Sequence, residues 1–424
     1  MLHNPFTVGK PVPPQSFVGR TSEIAAAFDQ IYNRSHLAIW GGPRMGKSSF
    51  LEKLASPEVW EEYGLDPSEA AIVLFSCENI VPFTASGFWQ EVLSNLKDNE
   101  SALQADIERL FRQGQATRDS LRQVLRKLGQ KGKFLVLLVD DYDAALYPNE
   151  QYTEADMEVF LSECRNLAYH AQERQYLSMI VTSRKRLNEL GPKLNQNSSP
   201  WYNHYLFQSL KLFTKTEVDQ LLAGIRPTPA LRDAIREIAD GHPGLLQIAG
   251  YLLYRELQTR KEPDVEAIVR DFESTTRPIF QNIWAKCSEV EQTLLMLMAL
   301  SSLKGRLHEK KQFDLSDINL IFTQRERELI NLEEQGVIAH IGNEEERVYS
   351  FTSSIMERWV IQEIWNTNEP SVTDREKVFL NLMSHQQADK VTKAIYWLGQ
   401  HRDVVPSIVE WLGKVLAAFP KGAL

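Results

Sequence analysis

Gly41-Gly42-Pro43-Arg44-Met45-Gly46-Lys47-Ser48 matches the pattern G-x-x-x-x-G-K-[ST] at every position. Its surroundings suit that pattern. The apolar run at 36–40 reads as a strand leading into the loop, and a helical period begins at Lys47. Glycines let successive backbone N–H groups turn toward phosphate oxygens, and the helix N-terminus adds its partial positive charge. The loop residues Gly41, Gly42, Pro43, Arg44, Met45 and Gly46, with Lys47, Ser48 and Ser49 at the helix start, are therefore the candidate phosphate cradle. Lys47 has the reach for the β- and γ-phosphates, and the Ser48 hydroxyl has the chemistry of a Mg²⁺ ligand.

The partner such a loop needs lies downstream. Phe134-Leu135-Val136-Leu137-Leu138-Val139-Asp140-Asp141 is an apolar strand that ends in two carboxylates. A buried parallel strand carries Asp140 to the carboxyl edge of its sheet, where open α/β sheets bind ligands. There Asp140 is the expected second metal ligand, and Asp141 the expected acid that polarises the attacking water. Asp143 competes with it for that role.

Further apolar runs at 71–77, 177–182 and 205–210 alternate with helical periods at 22–32, 86–96, 118–128 and 156–172. That alternation predicts a parallel sheet covered on both faces. The run at 71–77 falls between the two motifs, and predicts an additional strand separating theirs in the sheet. After residue 210 the strand signal fades into helices at 215–223, 229–239 and 243–257. A helix-rich block from Pro278 ends in short apolar runs at 336–341 and 348–351 around Gly342-Asn343-Glu344, the outline of a winged helix. The expected divisions are a nucleotide-binding domain at 1–210, a helical lid at 211–277, a winged-helix-like domain at 278–370 and a helical C-terminal element at 371–424.

Composition sets the outer bounds. With 424 residues, 43% of them hydrophobic and 24% charged, the chain is long enough for several cores and ordinary for a globular protein. A net charge of −9 argues against a wholesale basic surface for nucleic acid. Three cysteines, Cys77, Cys164 and Cys287, are too far apart for a metal cluster and suit a reducing compartment. No signal peptide and no run of about 20 apolar residues is present, so a cytoplasmic location without a membrane span is expected.

Several ordered motifs then resemble the STAND-type ATPases of bacterial type, the AAA+-related family that includes NACHT and NB-ARC switch proteins. Asn4-Pro5-Phe6 with Phe17-Val18-Gly19-Arg20 resembles that family's leading segment beside the nucleotide. Thr182-Ser183-Arg184 resembles its sensor motif, whose arginine contacts the γ-phosphate. Phe213-Thr214-Lys215-Thr216-Glu217 resembles the linker to the lid, and Gly241-His242-Pro243-Gly244 the lid motif whose proline packs on adenine. The resemblance implies ATP or ADP with Mg²⁺ as ligands, and Val18, Gly19, Arg20 and Pro243 as further nucleotide contacts. It implies catalytic roles for Lys47, Asp141 and Arg184. It also implies slow hydrolysis, Asp141 being shorter than the usual glutamate, and nucleotide-dependent self-association with other proteins as sensor or effector in signalling or defence. Phe351-Thr352-Ser353-Ser354 stands where plant relatives carry a histidine motif.

The rival is a DNA-associated ATPase such as a transposition regulator or an origin-recognition-like protein. A DNA-reading helix needs a basic face. Here Arg325-Glu326-Arg327-Glu328 alternates in sign, and Glu333, Glu334, Glu344, Glu345 and Glu346 crowd the region, which favours a protein-contacting module. The cluster Lys304, Arg306, Lys310 and Lys311 keeps DNA as the second candidate. The apolar face of Trp397, Ile408, Val409, Trp411, Leu412, Val415 and Leu416 fits equally a packed helix or a partner-docking surface.

Overall fold

A computed structural model of the chain describes residues 3–114, 116–193, 199–225, 227–259, 264–303, 306–307, 313, 315, 318–341, 347–366 and 369–412. The chain divides into two compact units, one of 11–41 and 46–210, the other of 1–10, 42–45 and 211–424.

The first unit is a three-layer α/β fold. Its elements are α1 (Thr21–Tyr32), β1 (His36–Trp40), α2 (Lys47–Ala55), α3 (Pro57–Glu62), β2 (Ala70–Ser76), α4 (Ala85–Asn99), α5 (Gln104–Arg112), α6 (Arg118–Gln130), β3 (Phe134–Asp140), α7 (Glu154–Arg165), β4 (Leu177–Ser183) and β5 (Tyr205–Ser209). All strands run parallel in the order β2-β3-β4-β1-β5. A strand does separate those of the two motifs, but it is β4. The run expected to do so forms β2 at the sheet's edge, beside β3. Order along the chain gave no means of telling which later strand would insert.

Alternation along each strand divides the core in two. Leu37, Ile39, Val136, Leu138 and Ile180 face α1, α2 and α3, meeting Phe28, Phe50, Leu54 and Trp60. Ala38, Leu135, Leu137, Val139, Met179 and Val181 face the layer of α4 to α7. Burial on both faces is why β1, β3 and β4 are rich in apolar residues on both sides, each buried Val, Leu, Ile or Met contributing roughly 1.5–3 kcal/mol. Thr84, Thr117 and Thr153 cap α4, α6 and α7 through their hydroxyls.

The second unit is mostly helical: α8 (Lys215–Leu222), α9 (Pro229–Ala239), α10 (Pro243–Thr259), α11 (Val265–Lys286), α12 (Glu289–Ser302), α13 (Ile318–Gln324), α14 (Glu326–Glu334), a hairpin of β6 (Ile338–Ile341) and β7 (Val348–Phe351), then α15 (Ser354–Asn366), α16 (Glu369–Leu382), α17 (His385–Gln400) and α18 (Ile408–Trp411). The hairpin's connecting residues 342–346, including Gly342-Asn343-Glu344, and Lys304, Lys310 and Lys311 lie outside the described residues.

Two expectations need correction. The boundary expected between 277 and 278 falls inside α11, which runs through Pro278. Its ring removes a backbone donor, and the preceding turn is held by side chains, with Thr275 Oγ1 donating to Asp271 O (2.7 Å) and Thr276 Oγ1 to Phe272 O (2.8 Å). Nor is 371–424 continuously helical. Ser384 and Ser407 cap new helices after breaks, and 413–424, with Val415 and Leu416, lies outside the described residues. Ile408 and Leu412 belong to one apolar core with α10, α12 and α15, and the Trp411 indole donates to Ser354 O at 3.1 Å. Among the described residues no helix is long and apolar enough to cross a membrane.

Candidate functional site

In the first unit the strand ends gather the acidic chemistry. Parallel register sets Ser76 of β2 opposite Asp140 of β3, while Thr182 of β4 lies opposite Ile39 of β1, next to the start of the glycine loop. The Thr182 hydroxyl donates to Asp140 Oδ1. The Asp141 N–H is shared between Asp140 Oδ1 (3.1 Å) and Thr182 Oγ1 (3.2 Å). Asp140 is thereby buried, at 8% exposure, in a fixed orientation.

Asp141 adopts a left-handed backbone, φ 48°, a conformation aspartate tolerates better than most residues. The turn brings its Oδ2 within 2.8 Å of the Ser76 hydroxyl, which donates to it. Burial pushes the Asp141 carboxyl up to about 6, and the charges of Asp140 and Glu78 add to the rise, while Ser76 and Lys47 oppose it. A carboxylate so tuned is ionised near neutrality yet basic enough to take a proton.

Lys47 opens α2 after Gly46, whose φ of 94° requires glycine. Its ammonium donates to Gly41 O at 2.8 Å, curling over the loop it belongs to. Ser49 accepts the Val12 N–H at 2.9 Å and Lys53 Nζ donates to Pro14 O at 3.1 Å, so the N-terminal segment is laced along α2. Val18 is partly buried and Gly19 and Arg20 are both left-handed, at φ 70° and 60°, where they turn the chain into α1. Arg20 is buried beside Glu23, 3.6 Å away.

Arg184, just past β4, is held by the loop that follows β3. Its backbone N–H reaches both Asp143 oxygens (3.2 and 3.0 Å), its Nε stands 3.5 Å from Asp143 Oδ1, its Nη2 donates to the Tyr147 hydroxyl, and its guanidinium lies over the Tyr147 ring, 4.9 Å from the centroid. Burial raises the Asp143 carboxyl, and the charges of Lys47 and Arg184 pull it back.

The tip of the glycine loop, residues 42–45, belongs to the second unit. A Cβ on Gly42 would stand 2.1 Å from the Gln335 carbonyl oxygen, one on Gly336 2.8 Å from the Met45 sulfur, and one on Gly244 2.5 Å from the Arg44 Cβ. The Gly244 N–H also donates to Arg44 O at 3.1 Å, directly after the buried Pro243. Three glycines thus allow the loop tip to touch α10 and the turn from α14 into β6.

The expected site residues therefore fall into two groups. Lys47, Asp140, Asp141, Arg184 and the segment of Val18, Gly19 and Arg20 belong to the first unit, and Gly42 to Met45 with Pro243 to the second. Sequence reading missed Ser76 and Tyr147 as members and gave no hint of Gln335. The signal for Ser76 was present, a hydroxyl residue ending the strand that pairs with β3.

Oxygen donors suit a magnesium ion. The Ser48 hydroxyl and one Asp140 carboxylate oxygen are hard ligands of the kind that Mg²⁺ combines with phosphate oxygens and water. Among the described residues no group of three or more His, Cys, Asp or Glu side chains is placed to hold a metal ion.

No protein-family model matches the chain, and no curated protein matches it. Solved structures do. The Walker-type ATPase PABY2304 of Pyrococcus abyssi is similar at a TM-score of 0.55 and 16% identity, over 84% of this chain and 99% of that one. The Aeropyrum pernix ORC2 protein, in ADPNP–ADP complexes, is similar at a TM-score of 0.50 and 13% identity, over 93% and 98%. At these identities the likeness is one of fold, and with the glycine loop, β4 between β1 and β3, and the acid-tipped β3, the chain has the fold of the Walker-type P-loop ATPases.

Proposed function

We propose that the protein is a magnesium-dependent ATPase that acts as a nucleotide-controlled switch, coupling the state of its glycine loop to the helical lid and to the winged-helix-like segment of α12–α15, and thereby to assembly with itself and with partner proteins. The observation that carries this reading is the contact of Gly42 and Met45 with Gln335 and Gly336, alongside that of Arg44 with Gly244. A loop that changes with the phosphate it holds presses on both elements. A ligand biases such an equilibrium by its differential contacts in the two states.

The chemistry follows from the first unit. Loop amides and the Lys47 ammonium bind the phosphates; Ser48 and Asp140 would hold a Mg²⁺ ion, which would supply neutralisation of charge on the phosphate oxygens. Asp141, steadied by Ser76, takes a proton from the attacking water as its oxygen bonds to the γ-phosphorus and the ADP oxygen leaves. Thr182 keeps Asp140 turned to the site.

Nucleotide titration and sizing of the wild type and Lys47→Ala, with ADP and with a non-hydrolysable ATP analogue, test this. A wild type that binds both nucleotides and elutes differently with each supports the switch. Binding without any change in elution, protease sensitivity or partner capture would overturn the switch while leaving the ATPase reading.

A DNA-associated, origin-recognition-like ATPase is the second reading. The extent of likeness to the Aeropyrum pernix ORC2 protein favours it, and the expected preference for a protein-contacting module has no support from the comparisons. Salt-dependent retention of the full chain on duplex DNA separates the two.

A further inference from the structure

We propose that Asp143 and Tyr147 are positioning residues that restrain Arg184, so that a triphosphate must draw the guanidinium from this clamp while a diphosphate leaves it in place. The inference rests on the nucleotide-binding reading above and adds to it the residues that set discrimination between the two nucleotides.

Three observations carry it. The first is economy of source: Asp143 and Tyr147 belong to the same short loop after β3, and between them they hold both the backbone N–H and the guanidinium of Arg184. Asp143 accepts the Arg184 backbone N–H and faces Nε at 3.5 Å, while Tyr147 accepts from Nη2 and offers its ring face 4.9 Å from the guanidinium carbon. The second is charge. Asp143 is only 18% exposed and feels the ammonium of Lys47 as well as the guanidinium of Arg184. The lysine of the phosphate loop and the arginine after β4 therefore share one counter-ion. A phosphate that arrives at Lys47 competes with Asp143 for cations on both sides. The third is release. The Arg184 side chain is 30% exposed and the Tyr147 side chain lies at the surface, so the clamp can open without disturbing the core.

This role differs from that of a general base. Asp143 as a base would act on water and alter turnover. Asp143 as a restraint alters how much more tightly a triphosphate binds than a diphosphate. Asparagine at 143 still accepts the backbone N–H but abolishes the ion pair, and phenylalanine at 147 keeps the ring while removing the hydroxyl.

The test is competition binding of ADP and a non-hydrolysable ATP analogue, with magnesium, to the full chain and to Asp143→Asn, Tyr147→Phe and Arg184→Gln, alone and combined, with steady-state turnover measured in parallel. Freeing Arg184 should raise triphosphate affinity about two- to fivefold, the scale of a partly exposed ion pair, and leave ADP affinity unchanged. In the Arg184→Gln background the effect of Asp143→Asn should vanish. A gain for both nucleotides, or one that persists without Arg184, would mean general charge or a structural effect and overturn the proposal. An unchanged binding ratio with lost turnover would make Asp143 the base instead. A wild type that binds neither nucleotide would sink the functional reading itself, a different outcome from failure of the clamp.

Discussion

Protonation of His36 should unfold the sheet from beneath the glycine loop. His36 opens β1 and is 3% exposed. Its Nδ1 accepts the Met179 N–H from β4 at 3.0 Å, and its Nε2 faces Ala168 O at 3.3 Å. The ring is thus neutral, with the hydrogen on Nε2, and a second proton would abolish the Met179 bond. Burial lowers its pKa from 6.5 to about 4. Because the folded value lies below the unfolded one, the unfolded chain binds more protons between them. Stability is whole above pH 6.5 and falls as pH drops toward 4. Integrated from pH 7.5 to pH 5, that difference costs about 2 kcal/mol, close to a thirtyfold shift toward the unfolded state. His204 nearby, lowered to about 3 mainly by burial and then by His36, acts with the same sign. Asp141 and Asp143, raised in the folded state, act with the opposite sign, so the wild type alone is not diagnostic. The assay is guanidinium unfolding of the wild type and His36→Gln at both pH values, followed by exchange protection at the Met179 amide. The wild type should lose about 2 kcal/mol more than the variant across the interval. Parallel losses in the two proteins would refute the assignment of His36 as a neutral hydrogen-bonded group.

Other outcomes follow from the site. Lys47→Ala should weaken nucleotide binding by roughly one to two orders of magnitude, as loss of a charged hydrogen-bonding group implies, in a titration with magnesium present. Asp141→Asn should lower turnover by about 10²–10⁴ with nucleotide affinity nearly unchanged, and a matching loss in both would refute its role as base. Gly42→Ala places a methyl 2.1 Å from the Gln335 carbonyl oxygen. It should cost about 1–3 kcal/mol, as overpacking does, and raise amide exchange around 335–337.

Legibility in the sequence followed the range of the interactions. The glycine loop and the acid-tipped β3 are local patterns, since a phosphate cradle is built from successive backbone amides and a buried strand from successive apolar residues. Where a partner comes from another strand, the sequence shows at most a hydroxyl at a strand end and not the carboxylate it will meet. Ser76 reaches Asp141 across 65 positions and Thr182 reaches Asp140 across 42, and register alone brings them together. β4 was read as a strand, yet its place between β1 and β3 depends on packing of the whole sheet. The boundary drawn at Pro278 falls inside a helix because proline is tolerated there, with hydroxyls from Thr275 and Thr276 occupying carbonyls of the preceding turn. Short helices such as α3 and α5 lack the repeated turns that make periodicity readable. Gly42 reads in the sequence as a residue that gives the loop freedom, but its φ is not left-handed and a Cβ there would stand 2.1 Å from the Gln335 carbonyl oxygen. Gly336 combines a left-handed φ of 72° with the close approach of the Met45 sulfur.

Residues 4–7 are held by a helix more than two hundred positions away. Asn4 Nδ2 donates to Tyr251 O at 3.1 Å, the Thr7 N–H donates to Gln247 Oε1 at 2.8 Å, and the Phe6 ring fills the space where Gly250 has no side chain, 2.2 Å from the position a Cβ would take. The helical segment is therefore discontinuous, and cutting it out as one stretch would strip it of its own aromatic plug. The same anchoring makes the segment around Asn4 to Thr7 a place for a dye that reports on α10 without altering the helix itself.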